Sequence, residues 1–201
     1  MHAPTISYQD RYFLVVDKPA GLPTQSPKGG GDNLYDALRE EHKYVGLHHR
    51  LDTPVSGLVL FTLHKSVNAS IAAGFREHTI KRAYRALVLG NLSAAGTWDQ
   101  DLEGKIAITH FAPSAPQAKV PEHYTTARVP GRTTILDIHL ETGRTHQIRR
   151  HAADAGHPIL GDRRYGGVAG RLAGDICLRA VALKFWHPRQ EEWVQVEAPT
   201  A

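Results

Sequence analysis

Short strand-like runs outnumber helix-like runs in this chain, and the two kinds do not alternate regularly. Apolar or alternating runs typical of strands occur at residues 12–16, 57–63, 81–89, 124–129, 133–140, 176–186 and 193–196. Regular alternation of strands and helices is typical of α/β proteins. The sequence therefore predicts an α+β fold, with a mixed, largely antiparallel β-sheet and flanking helices and loops.

Three helices are predicted between these runs. They are predicted to begin at Asp32 or Asn33, at Ser66 and at about Thr145, and to end near residues 41, 78 and 155. Before the first helix, residues 17–33 hold three prolines and four glycines. Such a composition excludes regular structure, so this segment is predicted to be a long loop.

Length and composition fit one folded domain. At roughly 150 residues per domain, the 201 residues predict a single domain over residues 1–201. No apolar stretch approaches the roughly 18–20 residues that span a bilayer, and the N-terminus lacks the pattern of a secretory signal. We therefore expect a cytoplasmic protein without a membrane span. The one cysteine, Cys177, excludes an internal disulfide and a cysteine-rich zinc cluster.

The charge of the chain is modestly basic. The 16 arginines and 8 lysines exceed the 20 acidic residues by four. Five of the arginines lie between residues 128 and 151, where only Asp137 and Glu141 oppose them. Arginine binds phosphate through two parallel hydrogen bonds, so this excess is compatible with a polyanionic partner. Charge alone still favours the alternative of a solvated basic face.

Asp52 lies in the segment HRLDTPVSGLVLF (49–61), between a His-Arg pair and a strand-like run. A carboxylate in a loop held by a buried strand can act as a nucleophile, a general base or a metal ligand. An adjacent arginine would keep it ionised. The alternative is an aspartate that only makes a hydrogen bond within a turn.

Residues 142–166 place five arginines and three histidines around one short predicted helix. Ile148 is predicted to face the core, so Gln147 and Arg150 should face a cleft. The histidines are spaced by five and six residues, whereas metal-binding pairs on a helix are spaced by four. We therefore expect no metal site in this segment.

Tyr84 lies in the strand-like run KRAYRALVLG (81–90), among Lys81, Arg82 and Arg85. A tyrosine in a strand is usually a core residue whose hydroxyl group is hydrogen-bonded. An aromatic ring among cations can also stack on a nucleobase while its neighbours bind phosphate. The residues alone leave both interpretations open.

Together these segments resemble the motifs of the RluA-type pseudouridine synthases. The matching segments are VDKPAGLPTQ (16–25), HRLD followed by SGL (49–58), KRAYRALVLG (81–90), TGRTHQIRRHAADAGHPILGDRRYG (142–166) and LRAVALKFWHP (178–188). They follow the family's order over nearly the whole chain. Because the first motif starts at residue 16, the resemblance implies a bare catalytic domain without an accessory N-terminal RNA-binding domain.

The resemblance also implies roles for single residues. Asp52 matches the family's catalytic aspartate, Tyr84 its active-site tyrosine, and Arg144 the basic residue that pairs with the aspartate. Arg50 matches the arginine that enters the RNA stack where the uridine leaves. Other polar residues of the motifs are predicted to bind the substrate: His49, Lys81, Gln147 and Arg149.

The implied reaction is the isomerisation of uridine to pseudouridine in ribosomal or transfer RNA. The base is detached from the ribose, turned and rejoined through carbon, without a cofactor and without a metal. Asp52 would act on a flipped-out uridine as a nucleophile at the anomeric carbon or the uracil ring, or as a base on the ribose. RNA is the predicted partner, and the protein is expected to be a monomer.

Two residues depart from the family motifs. Val55 stands where the family usually has threonine, and Arg179 where histidine is common; neither is one of the three catalytic positions.

Two rival enzyme functions are excluded by the sequence. An aspartate-nucleophile phosphatase would need a second aspartate at the position of Pro54, and a zinc deaminase needs paired cysteines, whereas the chain has one cysteine. The remaining alternative is an RNA-binding or RNA-chaperone protein of the same fold, with secondary or lost catalysis.

Overall fold

The computed structural model describes residues 4–26, 30–115, 132–171 and 174–199. These residues form two compact units. The first unit comprises residues 4–82 and 180–199, and the second comprises residues 83–179. The predicted strand at 124–129 lies outside the described residues.

Ten strands and three α-helices are found within the described residues. The strands are β1 (Thr5–Gln9), β2 (Phe13–Lys18), β3 (Gly46–Leu47), β4 (Ser56–Thr62), β5 (Lys81–Leu89), β6 (Gly96–Trp98), β7 (Thr109–Pro113), β8 (Thr133–Leu140), β9 (Leu178–His187) and β10 (Glu192–Glu197). The helices are α1 (Leu34–Glu41), α2 (Asn68–Arg76) and α3 (Gln147–Asp154). In the part of the chain that is described, no helix has the length and apolarity needed to cross a membrane.

The sheet confirms the predicted α+β class. In the first unit the strand order is β1-β2-β4-β9-β10, with β3 beside β4. The pairings of β1 with β2, β2 with β4, β3 with β4 and β9 with β10 are antiparallel. In the second unit β5, β8, β7 and β6 follow one another, again antiparallel. The helices lie outside these ladders, as the prediction required.

The core of the first unit forms on both sides of β4. All seven residues of β4 are buried, which matches the unbroken apolar run in its sequence. Helix α2 contributes Ile71, and the turn before it contributes Val67, to one apolar cluster. The rest of that cluster comes from the strands and the residue before β5: Phe13, Val15, Leu58, Leu60, Ile80, Leu183, Phe185, Val194 and Val196.

Helix α1 begins where the sequence predicted. The side chain of Asn33 accepts a hydrogen bond from the backbone N–H of Asp36 at 3.0 Å, which is the arrangement of an N-cap. The amide of Asn33 donates in turn to the Asp36 carboxylate at 2.7 Å. Leu34 and Leu38 are buried, so this helix is fixed on the unit through one face.

The predicted cap of α2 is wrong. A short 3₁₀ turn, Lys65–Val67, precedes the helix, and α2 itself begins at Asn68. The imidazole of His64 accepts the backbone N–H of Ser66 at 3.1 Å, so the histidine makes the capping contact that was expected of the serine. Four strands were also missed, β1, β3, β6 and β7, because they are short or alternate poorly. All five residues of β1 are at least partly exposed.

Gly57, the second residue of β4, lies against another strand. Its φ angle is +114°, which L-residues with a side chain rarely adopt. A Cβ atom there would lie 2.2 Å from the backbone oxygen of Ala180. Backbone atoms of a central strand cannot yield, so only glycine fits at this position of the HRLD-SGL motif.

We predict that Gly57→Ala destabilises the protein by about 3 kcal/mol or more, because strain at φ and the close contact with Ala180 add together. Urea unfolding followed by circular dichroism measures the change. The matched control is Gly104→Ala, where φ is +71° but no atom lies within 4 Å; it should cost about 1 kcal/mol. Equal losses in the two variants would contradict the packing argument.

Candidate active-site residues

The segment that carries Asp52 is a tight turn directly before β4. The carbonyl oxygen of Asp52 accepts the backbone N–H of Val55 at 3.0 Å, and Val55 is buried. The side chain of Asp52 is half-buried, whereas Thr53 and Pro54 are exposed. The predicted carboxylate therefore stands at the start of a strand that is buried over its whole length.

The loop after β2 holds this turn by hydrogen bonds. The backbone N–H of Gly21 donates to the carbonyl of Thr53 at 2.9 Å. The hydroxyl of Thr24 is bonded to both peptide groups of Leu51, at 2.9 and 3.1 Å. The motif VDKPAGLPTQ thus anchors the residues on each side of Asp52.

Lys18, in the same motif, has its amino group inside the protein. The residue is 0% exposed, and Nζ donates to the carbonyls of Pro19 at 2.9 Å, Leu22 at 2.7 Å and Thr53 at 3.3 Å. Burial lowers the pKa of Lys18 to about 8, while the negative charges of Asp52 and Asp17 act in the opposite direction.

Sequence reasoning missed Lys18. The two-residue period of a strand could have predicted its burial, since Lys18 shares a face of β2 with the buried residues Leu14 and Val16. A lysine at an inward-facing position needs polar partners. Here those partners include a carbonyl of the Asp52 turn.

His49 is part of the scaffold of this turn. Its Nε2 accepts the backbone N–H of Leu60 at 2.8 Å, and its ring lies 4.7 Å from the ring of Phe75. Burial lowers the pKa of His49 to about 3, and the charges of Arg82 and His48 act in the same direction. His49 is therefore neutral at physiological pH.

The two predicted cations of the first unit are both exposed. Arg50, which stands between His49 and the buried Leu51, is exposed. Lys81 opens β5, where Nζ donates to the carbonyl of His78 at 3.1 Å. Arg50 thus lies two residues before Asp52 and is accessible to a polyanion.

Tyr84 is a buried residue of β5 in the second unit, 6% exposed. It faces Ile138 of β8 in the strand register. The next residue, Arg85, binds Asp137 at 2.8 Å. Burial in a strand fits the core interpretation of Tyr84, and the active-site role stays a prediction from the family motif.

Arg144 is exposed and belongs to the turn that precedes α3. Its Nε donates to the carbonyl of Ile106 at 2.9 Å, and its backbone N–H donates to the side chain of Gln147 at 2.9 Å. The first bond holds the side chain of Arg144 and the second holds its backbone, both within the second unit.

Gln147 uses its whole amide to hold that turn. Its Oε1 also accepts the hydroxyl of Thr142 at 2.8 Å, and its Nε2 donates to the carbonyl of Ile108 and the hydroxyl of Thr109, both at 2.9 Å. The residue is 3% exposed. Gln147 thus lies in the interior, whereas the helix pattern predicted that it faces a cleft.

Arg149 also lies in the interior, 5% exposed. Its guanidinium binds both carboxylate oxygens of Asp162 at 2.8 Å and lies 5.2 Å from the centre of the Tyr165 ring. Burial would raise the pKa of Asp162, but the hydrogen bond and charge of Arg149, together with backbone hydrogen bonds from Tyr165 and Arg164, hold that pKa below its usual value. This pair fastens the GDRRYG segment to α3.

The residue before α3 has an unusual backbone. His146 has a φ angle of +55°, and its Nδ1 lies 2.8 Å from the hydroxyl of Tyr165. The contact helps to hold the left-handed conformation that starts the helix. Within the described ranges, no group of three or more His, Cys, Asp or Glu residues is arranged to hold a metal ion.

Comparisons with known proteins agree with one another. The model of the RNA pseudouridylate synthase family matches residues 12–154. The dual-specificity RNA pseudouridine synthase RluA of Pasteurella multocida is 35% identical over 98% of this chain and 93% of its own length. The tRNA pseudouridine synthase C of Vibrio parahaemolyticus is 32% identical over 96% of this chain and 89% of its own length.

A solved structure shares the fold. The human RNA pseudouridylate synthase domain containing 1 superposes with a TM-score of 0.78, at 26% identity, over 98% of this chain and 83% of that one. The family match covers more than half of the chain, and the relatives exceed 30% identity over nearly all of it. The chain therefore belongs to the RNA pseudouridylate synthase family and is an RluA-type pseudouridine synthase, an isomerase.

Proposed function

We propose that this protein converts uridine to pseudouridine in ribosomal or transfer RNA, with Asp52 as the catalytic carboxylate. The observation that carries the proposal is the anchoring of the Asp52 turn. Hydrogen bonds with Lys18, Gly21 and Thr24 hold the backbone of Leu51 and Thr53, the residues on each side of the aspartate. A turn that only joined two strands would not need a buried ammonium group to fix it.

The reaction sets clear demands on the carboxylate. The bond from the anomeric carbon to N1 of uracil breaks, the bond from that carbon to C5 forms, and the hydrogen of C5 is released to solvent while N1 gains a proton. Asp52 would attack the anomeric carbon or the uracil ring, or remove a proton from the ribose. Each route requires an ionised carboxylate at a defined position, and the anchored turn fixes the position of the backbone that carries it.

The uridine must leave its stack before it can react. Extruding a base costs a few kcal/mol, and a side chain that fills the gap offsets part of this cost. Arg50 is exposed, two residues from Asp52, on the same anchored loop. We assign it the role of entering the vacated position.

Tyr84 and Arg144 complete the proposed machinery. The family motif assigns Tyr84 to stacking on uracil or to proton transfer, and Arg144 to pairing with the aspartate. Gln147 and Arg149 support the Arg144 turn and α3 from the interior, so we propose that they position the site. Lys81, which is exposed, is left to bind phosphate.

We predict that Asp52→Asn lowers the turnover rate by on the order of 10³-fold or more. RNA binding should stay intact, because cationic residues supply the affinity. Release of tritium from ribosomal and transfer RNA transcripts containing [5-³H]uridine measures turnover, and filter binding measures affinity. Asp99→Asn makes the same change at an exposed position of the second unit and should keep the wild-type rate. Turnover by Asp52→Asn near the wild-type rate would refute the assignment.

We predict that Arg50→Ala slows the reaction more on a base-paired target than on a single-stranded loop, because only the stacked base leaves a gap to be filled. Arg76→Ala, an exposed position on α2, serves as the control for lost charge. Single-turnover rates on the two RNA forms are compared. Equal losses on both forms would contradict the role in base extrusion.

We predict that Arg144→Lys keeps a substantial part of the rate at saturating RNA, whereas Arg144→Met loses about 10²-fold, because lysine retains the positive charge. Single-turnover rates separate this effect from binding. Unchanged rates with weaker, less salt-dependent RNA binding in both variants would show that Arg144 contacts only backbone phosphate. Equal rate losses in both variants would show that charge is not its contribution.

A further inference from the structure

We propose that Thr24 is a positioning residue for Asp52, acting through the backbone of Leu51; this inference rests on the proposed function of Asp52. Thr24 lies 28 positions before the aspartate and does not belong to the HRLD motif. Its hydroxyl group makes two hydrogen bonds to the backbone of Leu51, the residue directly before Asp52.

The geometry of the contact restricts the peptide in more than one direction. Oγ1 of Thr24 donates to the carbonyl of Leu51 at 2.9 Å and accepts the N–H of the same residue at 3.1 Å. Thr24 is 3% exposed and Leu51 is 6% exposed, so water does not compete for these bonds. A hydroxyl group can donate and accept at once, and few side chains of this size can replace it.

Thr24 is itself fixed by helix α1. The first backbone N–H groups of a helix have no partner inside it. Here the N–H of Leu34 donates to the carbonyl of Pro23 at 2.9 Å, and the N–H of Tyr35 donates to the carbonyl of Thr24 at 3.0 Å. The helix is anchored in the core through Leu34, so Thr24 is tied to a rigid element.

The other side of Asp52 is held independently. The carbonyl of Thr53 accepts hydrogen bonds from Gly21 and Lys18. Asp52 thus lies between two residues whose backbone carbonyls are anchored, Leu51 and Thr53, and Thr24 supplies the anchor on the N-terminal side. Displacement of a reacting group by about 1 Å can cost on the order of 10²-fold in rate, so loss of this anchor should affect the chemical step.

The test uses Thr24→Val, which keeps the shape of the side chain and removes the hydroxyl group, and Thr24→Ser, which keeps the hydroxyl group. The matched control is Thr134→Val in the second unit. The Thr134 hydroxyl likewise donates to a carbonyl, that of Gly90 at 2.9 Å, and accepts an N–H, that of Leu92 at 3.0 Å. That turn carries none of the proposed site residues.

Single-turnover tritium release is measured with saturating [5-³H]uridine transcript, together with the Kd for the same RNA. We expect Thr24→Val to lose about 10- to 100-fold in rate with a Kd within threefold of wild type. Thr24→Ser should retain most of the rate, and Thr134→Val all of it. Rates are taken at a temperature where circular dichroism shows each variant folded.

Two results would overturn the inference: a wild-type rate in Thr24→Val, or equal rate losses in Thr24→Val and Thr134→Val. If Thr24→Val does not fold, Thr24→Ala removes the same hydroxyl group without crowding and takes its place, with the same expected loss. Absence of turnover by the wild-type protein, or turnover by Asp52→Asn near the wild-type rate, would refute the proposed function instead. The two failures are therefore distinguishable.

Discussion

The hydrogen bonds between the loop after β2 and the Asp52 turn are the constraint on which the proposed chemistry depends. A turn between two strands has peptide groups that water or protein must satisfy. Here the protein does so, through a buried lysine, a glycine N–H and a buried threonine hydroxyl. Each contact crosses about thirty residues of chain, so the aspartate acquires its place only when the first unit has folded.

The buried lysine shows what this anchoring costs. An ammonium group inside a protein loses its hydration, and the lowered pKa of Lys18 reflects that loss. Three carbonyl oxygens replace the water, and the nearby carboxylates favour the charged form. A methionine would fill the space without this penalty but would leave the three carbonyls without that donor. The lysine therefore joins the loop after β2 to the Asp52 turn at the cost of its own dehydration.

The second unit uses motif residues in the same way. Gln147 joins the turn of Arg144 to β7 and to the residues before it, and Arg149 forms a buried, bidentate pair with Asp162. Removing one member of such a pair leaves a buried charge, which commonly costs 3–5 kcal/mol. Residues that a motif places side by side thus divide into those exposed at the surface, such as Arg144, and those in the interior that hold them in place.

The sequence by itself determined the elements whose pattern is local. The unbroken apolar run of β4 predicted a buried strand, a cap at Asp32 or Asn33 predicted the start of α1, and the ordered motifs indicated the family. The tertiary structure decided which polar residues face inward. Arg144 and Arg149 are the same residue type five positions apart, yet one is exposed and the other is buried on Asp162. A polar group can be buried only where a partner from a distant part of the chain binds it, as Thr24 binds the backbone of Leu51. The local periodicity of the sequence does not predict such partners.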